Sequence, residues 1–137
     1  MISMKIEYQN DLLIVYLYKY IFSFNHKEEL YKEIKNLFIN LIKNYHLDLN
    51  GYFKVDIYEN LKYGVVLEIN KIYGNSNDFI DLKIILHHNT KFYLVMDDYH
   101  FFNNHDVIIK DNKYYIDIEK IDNILKYVEF GIIKYDK

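Results

Sequence analysis

A chain of 137 residues with 51% hydrophobic content can bury a true core within a single domain over 1–137, which excludes intrinsic disorder. The net charge of −3 gives no general attraction to nucleic acid or to anionic membrane. The absence of cysteine removes disulfides, thiolate catalysis and cysteine-based zinc sites.

Arg, Ala, Pro and Trp are also missing, whereas Ile, Lys, Asn and Tyr abound. Arg, Ala and Pro have GC-rich codons and the abundant four have AT-rich ones. An AT-rich genome, such as that of some bacteria or their phages, is the expected source. Codon bias then accounts for most of the 16 Tyr and 9 Phe. No apolar run approaches the length of a membrane span. The N-terminal MISMKIEYQND lacks the basic and apolar regions of a signal peptide, so a cytoplasmic protein is expected.

In chain order, Lys5–Tyr8 and Leu12–Ile21 flank the turn-rich Gln9-Asn10-Asp11 and predict a hairpin. Leu13, Val15 and Leu17 share one face of the second strand; Leu12, Ile14, Tyr16 and Tyr18 share the other. A strand apolar on both sides belongs in the middle of a sheet. The segment Asn25–His46 then carries Leu30, Ile34, Leu37, Phe38, Leu41, Ile42 and Tyr45 on one helical stripe. Asn25 is the predicted N-cap, with Glu28 placed as in a capping box, so a helix is expected over 26–46. Tyr52–Glu59 and Gly64–Tyr73 alternate and predict a second antiparallel hairpin. Phe79–His87 and Lys91–Asp97 alternate as well, and a meander is expected to continue through them. Asp111-Asn112 joins Val107–Lys110 to Lys113–Ile118 in a tight hairpin. Ile121, Ile124, Leu125 and Val128 predict a short helix near 120–128, and Glu129–Tyr135 a final edge strand. The expected class is α+β: an antiparallel sheet, N-terminal hairpin then meander, packed against one long helix.

No P-loop, dinucleotide-binding glycine pattern, HExxH or GxSxG occurs, and no cofactor is implied. Asp97, Asp98, His100 and His105 have the residue types of a divalent-metal or acid/base site. A solvated turn with surface histidines is the plainer account of them. Asp56, Glu68 and Asp81 occupy the polar faces of neighbouring strands, where facing water is the ordinary state. Tyr16, Tyr18, Tyr52 and Tyr58 have the chemistry to stack on single-stranded nucleic acid. The lack of arginine and the interspersed lysines and acids count against that reading. The segments Lys113-Tyr114-Tyr115-Ile116, Ile124-Leu125 and Glu129-Phe130-Gly131 resemble the tail of the MecA adaptors of bacterial Clp proteases. The long helix and its flanking hairpins have no counterpart there, and no function is carried over.

The expected function is a small non-enzymatic protein-binding module, inhibitor- or adaptor-like. Leu12, Ile14, Tyr16 and Tyr18 are its expected contact face, toward a protein partner or a second copy in a homodimer, unless the segment 107–135 folds back over them and closes a two-layer monomer. The alternatives are an enzyme using Asp97, Asp98, His100 and His105, and a nucleic-acid binder using the strand tyrosines.

Overall fold

The computed structural model describes residues 3–9, 12–22, 26–47, 51–73, 80–96, 107–121 and 132–137. The fold is α+β, with one long helix and nine strands in two sheets among those residues. The strands are β1 (Ser3–Gln9), β2 (Leu12–Tyr18), β3 (Gly51–Asn60), β4 (Gly64–Tyr73) and β5 (Ile80–His87), then β6 (Phe92–Met96), β7 (Ile108–Lys110), β8 (Lys113–Asp117) and β9 (Ile132–Tyr135). The helix, α1, spans Lys27–Tyr45.

The apolar stripe of α1 docks as its spacing predicts. Leu30, Ile34, Phe38 and Leu41 are buried, and Leu37 and Ile42 pack partly against the same core. Tyr45, the last residue of the predicted stripe and of the helix, is instead 47% exposed. The start also differs. His26, not Asn25, is the N-cap, and it makes no side-chain capping bond. Its ring lies 3.3 Å from Glu28 and 3.4 Å from Glu29, two acids in the turn where the helix dipole favours them. At the other end His46 closes the helix in the left-handed conformation, with φ 56°.

The first sheet has the order β1-β2-β4-β3-β5, with β2, β4 and β3 in its interior. Both predicted N-terminal and central hairpins are present and antiparallel. The meander does not continue into β5, which pairs parallel to β3. The reason is occupancy. Both edges of β4 are taken, by β2 and by β3. A strand returning antiparallel to β4 therefore finds no place beside it; the chain adds this strand beyond β3, and there it runs parallel to β3.

At His88-Asn89-Thr90 the chain leaves the first sheet altogether, and β6 opens a second sheet of order β7-β8-β6-β9. The Asp111-Asn112 hairpin forms as expected, with φ of 52° and 62° at its two residues, the left-handed pair of a tight primed turn. Strand β9 lies at the sheet edge. A short 3-10 turn over Ile118–Lys120 follows β8. The predicted helix near 120–128 falls almost wholly on residues outside the described ones.

Three layers result. On one face of the first sheet, Leu13, Val15, Leu17, Phe53, Val55, Ile57, Val65 and Leu67 meet α1. On the other, Ile14, Tyr16, Tyr18, Tyr58 and Val66 meet Phe92, Leu94, Ile116 and Ile133 of the second sheet and Ile118 of the turn after β8. Each fully buried apolar side chain of this kind contributes about 1.5–3 kcal/mol before entropy. Asn60 ties two turns together in the buried interior. Its Oδ1 accepts from the N–H groups of Lys62 and Tyr63, and its Nδ2 donates to Thr90 O at 2.9 Å. Gly64, at φ 131°, admits no side chain, since a Cβ there would lie 2.4 Å from Leu17 O.

Candidate functional site

The face predicted to be open is closed. Ile14, Tyr16 and Tyr18 are 3%, 7% and 6% exposed, and Leu12 packs partly against the same cluster. The second sheet of the same chain covers them, which corrects the expectation of a contact face there. Burial of Tyr16, Tyr18 and Tyr58 also removes them as a stacking platform for nucleic acid. Asp97, Asp98, His100 and His105 all lie outside the described residues. Among the described residues, no group of three or more His, Asp or Glu is placed to hold a metal ion.

Strand register assembles a polar cluster at the boundary between the sheets. Glu68 on β4 faces Asp56 on β3, and Tyr58 on β3 faces His87 on β5. His87 Nε2 lies 3.0 Å from Asp56 Oδ1, and its ring stacks on Tyr58 at 4.5 Å between centroids. Glu68 is buried, not water-facing, because β9 passes over it. The Tyr135 hydroxyl donates to Glu68 Oε2, and Lys137 Nζ lies 2.9 Å from that same oxygen. The Tyr135 ring also leans on Tyr58 and Phe92. Asp81 stays apart and accepts from the Tyr31 hydroxyl of α1 at 3.1 Å. Burial first, and the nearby carboxylates Glu68 and Asp56 second, push the Tyr58 phenol up to about 12. Burial and the bond to Glu68 push Tyr135 up as well. A neutral phenol that donates to a buried carboxylate is a structural fastener, and this cluster fastens β9 and the chain end to the first sheet.

The other surface with binding character is the outer face of the second sheet. There the register sets Ile108, Tyr115, Val95 and Ile132 in one row across four strands. The next row is Asp117, Tyr93 and Lys134. Between them opens a cavity of about 400 Å³ lined by Tyr93, Ile108, Lys110, Tyr115, Lys134 and Asp136. That volume lies in the range of ordinary ligand-binding clefts. Ile108 and Ile132 are 59% and 47% exposed at the two edges of the row. The acids near the cavity have partners: the Tyr93 hydroxyl donates to Asp136 at 3.4 Å, and Asp117 lies 3.6 Å from Lys91. Among the described lining residues, the exposed Lys110 and Lys134 outnumber Asp136, in a chain of net charge −3.

Sequence reading missed this face because its residues read as the solvent side of a hairpin. The available signal was the pair of isoleucines at 108 and 109 in a three-residue strand, where alternation would place a polar residue. No family model, no curated protein and no solved structure matches the chain, so none of them supports the likeness of 113–131 to the MecA tail.

Proposed function

We propose that the protein is a small non-enzymatic binding module that docks an acidic, extended protein segment in the cleft on the outer face of its second sheet. The observation that carries this reading is the lining itself: among the described residues, two tyrosine rings, an exposed isoleucine, two lysines and one aspartate, Asp136, which already accepts from Tyr93, around one cavity. Tyrosine gives large contact area with a polar tip, which suits an interface that is part apolar and part wet. The lysines attract carboxylates and set the sign of the partner. The Asp56–His87 pair is orienting rather than catalytic in this reading, since Asp56 and the Tyr58 ring hold the imidazole in place.

The test is affinity capture with wild type beside Tyr115→Ala and Lys134→Glu, all three checked for native melting. A specific partner is expected with wild type, lost or weakened at least tenfold with each variant, and released by salt. Equal recovery by all three proteins contradicts the cleft as the docking site.

A further inference from the structure

We propose that two copies of the chain associate through β1, pairing antiparallel about a two-fold axis at Ile6. Strand β1 is the outer strand of the first sheet, so its second edge has no strand beside it among the described residues. Its seven residues are centred on Ile6. Antiparallel neighbours place facing side chains on the same side of the sheet. With the axis at Ile6, Lys5 of each copy stands opposite Glu7 of the other, Met4 stands opposite Tyr8, and Ile6 meets its own copy. Moving the axis to Lys5 or to Glu7 sets like charges against each other. One register alone is thus self-complementary in both charge and apolarity.

The exposed groups agree with that register. Met4 and Tyr8 are 36% and 65% exposed on the side of the sheet that carries α1. At this margin a cavity of about 180 Å³ opens between β1 and α1, beside Met4, Leu37, Leu41 and Tyr45. Tyr8 of a second copy, standing opposite Met4, brings an aromatic ring to that margin. On the other side of the sheet, Glu7 is already held in place. Lys5 Nζ lies 3.0 Å from it, and the Tyr16 hydroxyl donates to it at 3.1 Å. A lysine on an edge strand ordinarily discourages pairing. Here the two-fold places it against a glutamate at both ends of the interface. The interface is isologous and therefore closes as a dimer rather than growing into a fibre. It uses none of the residues that line the cleft of the second sheet.

Sedimentation of wild type, Lys5→Glu and Lys5→Glu/Glu7→Lys decides the matter. Wild type is expected to be dimeric, the single variant monomeric or weakened at least tenfold, and the double variant dimeric again, because exchanging the two charges restores the cross-strand pairs. A monomeric wild type, a dimer indifferent to Lys5→Glu, or a double variant that stays monomeric overturns the proposal. Ile6→Cys keeps the test open should Lys5→Glu fail to fold. The chain has no native cysteine, so this thiol on the axis is expected to form a disulfide-linked dimer under mild oxidation. Leu61→Cys, 80% exposed in the β3–β4 turn, serves as the control. Crosslinking no faster at 6 than at 61 overturns the proposal equally.

Discussion

Tyrosine is the residue that defines the interior between the two sheets. Tyr16, Tyr18, Tyr58 and Tyr63 are buried there, and Tyr135 reaches in from β9. Burial is the first cause that raises each phenol above its ordinary value of 10, with Tyr58 carried to about 12. Nearby carboxylates add to it: Glu7 at Tyr16, Glu68 at Tyr135. A phenol with a raised folded pKa stays protonated in the folded protein at a pH where the unfolded chain has ionised. Its contribution is complete below pH 10 and is lost as pH climbs through 10 toward 12 and beyond. Alkaline titration is therefore expected to unfold the protein cooperatively above pH 10, with tyrosinate absorbance and loss of circular dichroism rising together. Tyrosinate appearing in full while the fold persists contradicts the burial of these rings.

Among the elements, α1 was the most legible in advance. Its stripe, its acidic first turn and its length follow from spacing alone, and only the terminal Tyr45 and the cap at Asn25 depart from it. The helix is stable through docking rather than propensity, since Asn36, Asn40 and Asn44 are poor helix formers. Phe38→Ala, at a side chain that is fully buried and packed edge-on against Phe53, is expected to cost about 3–5 kcal/mol. Tyr45→Ala on the exposed turn is expected to stay within about 0.5 kcal/mol of wild type. Urea denaturation of the two variants measures both, and equal midpoints contradict the assignment of the docked face. The strands were legible as strands, and the two faces of β2 were sorted correctly. Their neighbours were not legible. Alternation records which side chains share a face and says nothing of which edge a strand joins. The parallel placement of β5 and the departure of β6 into a second sheet are decided by edge occupancy, a property of the assembled sheet.

At the scale of the whole molecule, the second sheet changes the meaning of several residues at once. Glu68, an outward position in an alternating strand, becomes a buried carboxylate under Tyr135. Ile14, Tyr16 and Tyr18, an open face by pattern, become an internal one. The sequence held a hint of this, because Val66 and Tyr58 share that face and a water-facing row rarely carries so much apolar surface. The proposed docking surface lies one layer further out, at Tyr93, Tyr115, Lys110 and Lys134. No helix among the described residues is long and apolar enough to cross a membrane.

The three-layer arrangement stands or falls on what covers Ile14, and Ile14→Asp measures that most directly. An aspartate there would be buried in the cluster of Leu94 and Ile116 and would stand between Glu7 and Glu68, its cross-strand neighbours on β1 and β4, so its charge would meet only like charge. The variant is expected to lose cooperative melting and native circular dichroism at every protein concentration. An Ile14→Asp protein that melts like wild type, and differs only in how many copies associate, would show that this face is open and that the second sheet does not cover it.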